Sequence, residues 1–327
     1  MKKLFLFFCF CLITGMLLII AATIYLIKQK DTIARQLLID RLNELIPDSE
    51  ITIGTTHFEV PDEIYIRHLK INAPRSIGII DASGISTEFN PYSIRRAYIL
   101  DRADLLLERF ECTIKEYLFK EFTVRGIQMN GRRTPGDTLI VNGTLSVRSS
   151  SYKKFVLQNV ECEYTVHDKT ISVVCSHIEF AGGTGKGSVT AQQDNDGLVI
   201  TGSFSFSNLN ALDVFTILNL NTKMSMTGLW NATLDVRYVH DRFETLGGTL
   251  YAVPPGGDMH IKDAQMIANM IPSNQRNNPH IVDSIVNYTY SDGKITISLE
   301  EKSILFNLNL NGNTGKRNID IYLHDLM

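Results

Sequence analysis

The sequence predicts a mainly β protein, one N-terminal transmembrane helix followed by a largely antiparallel body with a few short helices. Three observations carry this. Leu4 to Ile27 is an uninterrupted uncharged run. Period-two alternation of apolar and polar residues dominates from Ile51 onward. Turn signals recur between the alternating stretches, roughly every 8–14 residues. The expected division is an anchor over 1–30 and a single β-rich body over 31–327, with no long linker and no abrupt shift in composition.

The apolar run follows Lys2 and Lys3. As a helix it spans about 36 Å, more than a hydrocarbon core of about 30 Å. A cleaved signal peptide is the rival reading. Its apolar region is shorter and ends at small residues, whereas Ala21 and Ala22 are followed by further apolar residues and Lys28. Lys2 and Lys3 nearly balance Lys28 and Lys30 across the segment, so the positive-inside rule is close to a tie. The tail before the run is too short to hold a domain, which places the N-terminus in the cytoplasm and the body outside it.

Asp31 to Ile46 reads as a helix, with Ile33, Leu37, Leu38, Leu42, Leu45 and Ile46 at helical spacing and Pro47 as its stop. It either lies on a membrane surface or plugs one end of a β core. Strand signals follow at Ile51–Thr55 and Ile64–Ile71, with Pro61-Asp62 between them as a turn. A helix-like piece is expected from Tyr92 to Arg96 and strand from Ala97 to Leu107. Further strands are expected over Phe110–Tyr117, Phe122–Met129, Thr138–Val147, Lys154–Val166, Ile171–Phe180, Gly187–Gln193, Leu198–Phe206, Lys223–Tyr238 and Glu244–Ala252. Asn130-Gly131, Thr134–Asp137 and Asp194–Gly197 read as turns. Short helices are expected at Ala211–Asn219 and Asp263–Ile271. The remainder reads as a meander: Ile281–Tyr290, Lys294–Glu300, Ser303–Leu310 and Asn318–Leu323. In that meander Phe306, Leu308 and Leu310 alternate with Leu305, Asn307 and Asn309, so one face is apolar. Such a face must be buried on another sheet, a helix or a lipid.

The five cysteines include no zinc-type spacing and are too few for a disulfide scaffold. A turn centred on Asp168-Lys169 sets Cys162 directly opposite Cys175. A two-residue loop makes them a non-hydrogen-bonded pair, close enough to bridge, and a four-residue loop keeps the pairing but changes its type. Either a disulfide or two buried thiols satisfies that placement.

Charge is nearly balanced, at −3, which argues against nucleic acid as the main partner. The eight histidines form no HExxH motif. There is no GxSxG elbow and no SxxK. Gly182–Ser188 misses the P-loop pattern, with Phe180 and Gly187 where glycine and a hydroxyl residue are required. Asp194–Gly197 lacks the later glutamate of a calcium loop. Asn142, Asn231 and Asn287 head formal glycosylation sequons. No catalytic group, cofactor or metal is nominated, and the expectation is a non-enzyme.

Several short motifs occur in a telling order after the anchor and helix: Glu50–Gly54 (EITIG), Glu63–Ile71 (EIYIRHLKI) and Glu179–Thr184 (EFAGGT), then Leu209–Phe215 (LNALDVF), Met226–Val236 (MTGLWNATLDV) and Leu246–Ala252 (LGGTLYA) before Pro254–Gly257. The first three resemble AsmA-like proteins. The others resemble the C-terminal region of the YdbH-like branch, the dicarboxylate-transport domain. The chain is much shorter than typical members. The resemblance implies an elongated, curved sheet, a groove or taco, whose apolar face receives phospholipid acyl chains. It further implies a single-pass protein of the inner membrane of a diderm bacterium, with a periplasmic body, moving phospholipid towards the outer membrane or maintaining its lipids. Expected partners are acyl chains, the membrane and other envelope proteins. Groove candidates are Ile281, Ile285, Ile295, Ile297, Phe306, Leu308 and Leu310, each of which ordinary core packing would equally explain. The alternative is a non-enzymatic envelope scaffold of the same fold with a closed core.

Overall fold

The computed structural model describes residues 31–323 apart from 33–34, 37, 45, 60–62, 76, 91, 93–106, 137, 194–196, 241, 264–266, 268–281, 284–285 and 301–302. The expected anchor over Leu4 to Ile27 lies outside these residues. Among the described residues no helix is long and apolar enough to cross a membrane. The chain divides into two compact units, Met1–Lys120 and Glu121–Met327.

In the first unit, β1 (Glu50–Glu59), β2 (Glu63–Ala73), β3 (Gly78–Phe89) and β4 (Leu107–Phe119) form an antiparallel meander. Ile53 pairs with Leu69, Leu69 with Ala82 and Ala82 with Ile114, which gathers one apolar face. The described residues of 31–44 are helical, and Leu38, Ile39, Leu42 and Ile46 pack against that face. Of the two roles open to this helix, packing on a β core is the one observed. Ser49 Oγ donates to the Ile46 carbonyl at 2.7 Å, closing the helix end beside Pro47. Strand β3 is missing from the sequence expectations. Its Ser, Thr and Gly content hides its alternation, and its register against β4 is broken by bulges. The expected helical piece at Tyr92–Arg96 and the strand from Ala97 fall almost wholly outside the described residues.

The second unit holds β5 (Phe122–Arg133), β6 (Ile140–Tyr152), β7 (Phe155–His167), β8 (Thr170–Phe180), β9 (Gly183–Gln193) and β10 (Leu198–Asn210), each antiparallel to the next. Strand β10 then pairs with β12 (Leu229–Val239), followed by β13 (Arg242–Ala252), β15 (Asn287–Glu300), β16 (Ser303–Gly312) and β17 (Gly315–Leu323). The first part of β15 pairs with β14 (Gly257–Ile261), and β14 pairs with β11 (Met224–Met226).

Tight turns drive the meander. Lys153, Asp168 and Ala181 have left-handed φ of 53°, 48° and 46° in two-residue turns, whose twist matches that of the flanking strands. A short helix (Ala211–Ile217) follows β10, its first turn capped by the Asn210 side chain accepting from the Leu212 amide at 2.9 Å. A 3-10 turn (Leu220–Thr222) leads on to β11.

Three expectations are corrected. Asn130-Gly131 is not a turn but lies inside β5, opposite Thr144 and Gly143, where the Tyr164 hydroxyl donates to the Asn130 carbonyl at 2.9 Å. The expected strand Lys223–Tyr238 is broken at Gly228, whose φ of +101° cannot continue a strand. The strand expected over Ile281–Tyr290 starts only at Asn287, as β15, and residues 282, 283 and 286 before it are helical. Strand β14 had no sequence signal of its own because it is only five residues long. Of the helix expected over Asp263–Ile271, Ile267 is helical and most other positions are not described.

Candidate functional site

In the second unit the alternation noted in the C-terminal meander extends across the sheet. Following cross-strand partners from Met129 gives Leu145, Cys162, Cys175, Gly187, Phe204, Leu234, Gly248, Ile297, Phe306 and Ile321. Every member of this row is apolar or glycine. One step along, the other face runs Lys186, Ser205, Thr233, Thr249, Thr296, Asn307 and Asp320. The sheet therefore has one oily face and one polar face.

Glycines on the oily face make room for neighbouring rings. A Cβ on Gly187 would stand 2.4 Å from the Phe204 ring, and one on Gly185 2.3 Å from the Phe206 ring. The two phenylalanine rings lie 6.4 Å apart and stack at 19°. Rings lying flat over adjacent glycines let the strands curl towards this face.

At one end the short helix covers it. Phe215 and Leu220 are buried with Trp230, Leu250, Ile295, Phe306, Leu308 and Ile321, which belong to five different strands. The cavity left among them is only ≈ 20 Å³, room for about one water molecule. Trp230 and Tyr290 add a hydrogen-bonded aromatic pair, Nε1 donating to Oη at 3.1 Å.

Away from the helix the face opens. Val173, Val189, Val236, Leu246 and Leu299 are half-buried. In the next row Ile171 is 46% exposed and Phe243 is 40% exposed. Exposure thus rises with distance from the helix along one continuous apolar surface.

The sequence-predicted groove residues are divided by this arrangement. Ile295, Phe306, Leu308 and Leu310 lie together in the buried core, Leu308 only 1% exposed. Ile297 is half-buried beside them. Ile281 and Ile285 lie outside the described residues. The open part of the face, from β8, β9, β12 and β13, was not singled out. Its signal was present as alternation in those strands, but valines and leucines there read the same as core.

Cys162 and Cys175 stand opposite each other, with register shifts on the Glu161 side of the pair and regular pairing on the turn side, and are joined by a disulfide with S–S 2.18 Å. Cys112 is a free thiol whose pKa is raised by burial. Among the described residues no group of three or more His, Cys, Asp or Glu is placed to hold a metal ion. No protein family, curated protein or solved structure matches the chain.

Proposed function

We propose that the chain is a membrane-anchored envelope protein whose second unit holds hydrocarbon chains on the open part of its apolar face. In this reading it takes part in phospholipid movement between inner and outer membranes, or in outer-membrane lipid maintenance. The N-terminus is cytoplasmic and the body periplasmic. The observation that carries the reading is an apolar surface continuous across the sheet that, among the described residues, becomes more exposed away from the short helix. Burying an acyl chain there gains about 0.8 kcal/mol per methylene and needs no specific polar contact. The Cys162–Cys175 disulfide suits an oxidising compartment. No catalytic group takes part.

Leu308 and Leu310 support the fold, and Val173, Val189, Val236 and Leu246 face the lipid. Mass spectrometry of gently extracted protein tests this. Phospholipid should co-purify with the unaltered chain and be lost from Leu246→Lys. An extract free of phospholipid overturns the reading.

A second reading, an envelope scaffold with a closed core, is favoured by the ≈ 20 Å³ cavity under the helix. It predicts no lipid, and no loss of any binding in Leu246→Lys.

A further inference from the structure

One margin of the second unit's sheet is an open strand edge. Strand β17 pairs with β16 along its whole length, from Gly312 with Gly315 to Ile304 with Leu323. Among the described residues it pairs with no other strand of its unit. Its nine residues contain no proline and its register shows no bulge. Edges that natural sheets keep from pairing carry a bulge, a proline or an inward-pointing charge. On the oily side of β17, Ile319 and Ile321 are buried. The charge on that side, Arg317, lies near the turn, with Cζ 5.2 Å from the centroid of the Tyr288 ring.

On the polar side a donor and an acceptor are left over. Asn307 Nδ2 donates to Asn318 Oδ1 at 3.0 Å and to Asp320 Oδ1 at 2.5 Å. The Asn318 amide nitrogen and the second Asp320 oxygen take part in no hydrogen bond among the described residues. Both side chains are exposed. They stand on either side of Ile319, the middle residue of the strand.

We propose that a second copy of this chain pairs along this edge, β17 against β17, antiparallel and centred on Ile319. Full overlap of the strand with itself fixes that centre, and a one-residue slip would set the oily side against the polar side. Residues directly opposite in such a pair share a face. Asn318 of each copy then faces Asp320 of the other, so the unused amide donates to the unused oxygen twice, once on each side of the two-fold axis. A hydrogen bond to a carboxylate is stronger than a neutral one. Ile319 faces its own copy, Arg317 faces Ile321 and Lys316 faces Tyr322, so no two like charges meet. A two-residue slip one way sets Asp320 against Asp320. The same slip the other way runs the strand ends onto the β16–β17 turn. The pairing joins oily side to oily side and needs no acyl chain, so it stands apart from the lipid reading.

Sedimentation velocity of the full chain in detergent micelles, over a range of concentrations, tests this. A dimer that dissociates on dilution is expected. Asn318→Asp sets carboxylates face to face at both ends of the pair and should weaken the dimer about tenfold. Asn318→Asp/Asp320→Asn exchanges the two partners and should restore it. Both substitutions keep an oxygen for the Asn307 amide, so the fold should be kept, which melting of the dilute monomer checks. Asn318→Lys should tighten the dimer, and a zero-length carbodiimide should then link the new amine to Asp320 of the second copy. A monomer at every concentration overturns the proposal. So does a dimer that Asn318→Asp leaves unchanged, or one that the exchange fails to restore. Leu246→Lys should leave the dimer intact, so failure of the acyl-chain reading and failure of this one are separable.

Discussion

The indole of Trp230 and the phenol of Tyr290 meet in the core of the second unit, with ring centroids 5.7 Å apart and Nε1 donating to Oη at 3.1 Å. The Tyr290 hydroxyl in turn donates to the Thr227 carbonyl, next to Gly228, where the chain breaks between β11 and β12. This pair ties β12 to β15 at the point where the short helix packs on the face.

The Tyr290 phenol is pushed up to about 12, first by burial and also by the Asp258 carboxylate, against the lowering effect of the Trp230 hydrogen bond. Its folded pKa exceeds the unfolded value of about 10. The neutral phenol therefore contributes stability that is fully present below pH 10 and is lost as pH rises towards 12. Denaturant unfolding across pH 9–12 should show the unaltered protein losing about 2–3 kcal/mol more than Tyr290→Phe over that window. Burial also raises the Tyr288 and Tyr164 phenols, so some alkaline slope should persist in the variant. At neutral pH, Tyr290→Phe should itself cost about 1–3 kcal/mol, because the indole loses its acceptor.

Reduction of Cys162–Cys175 should lower stability by about 3 kcal/mol, since the bond closes a short loop with a sequence separation of 13. Melting with and without reductant measures this, and Cys162→Ala/Cys175→Ala should melt at the reduced protein's temperature whether or not reductant is present. Equal melting of the oxidised and reduced chains would contradict it.

Leu308→Ala should cost about 2–5 kcal/mol, because the side chain is fully enclosed and the surrounding core can collapse only in part. Val236→Ala, on the open part of the same face, should cost about 1 kcal/mol or less. Urea midpoints compared at constant slope distinguish the two. A similar loss at both positions would mean that the face is covered throughout.

Gly187→Ala should destabilise by about 1–3 kcal/mol, since its Cβ would meet the Phe204 ring at 2.4 Å and the Ser203 carbonyl at 2.7 Å. Phe204→Ala in the same chain should recover only part of that loss, because the carbonyl contact remains. A double-mutant cycle reads the coupling between the two positions.

Much of the fold was legible where alternation was clean and turns were short. The strands flanking Asp168-Lys169 fall where the spacing put them, because a two-residue turn and a period of two leave little freedom in register. Asn130-Gly131 misled because the same dipeptide serves as a turn or, with Tyr164 donating across to it, as strand interior. Strand β14 escaped because five residues show too little periodicity. Leu308 and Val236 look alike as sequence: each is an aliphatic residue on the oily side of a strand. Only their distance from Phe215 and Leu220 separates core from open surface.

By itself the sequence determined that this is a mainly β chain with one oily and one polar sheet face, and that Cys162 faces Cys175. Those properties follow from local periodicity and turn length. Only the tertiary structure decided which stretch of the oily face the short helix fills and that the cysteines are joined. Those depend on segments far apart in the chain meeting as the sheet curls, and no local pattern records such meetings.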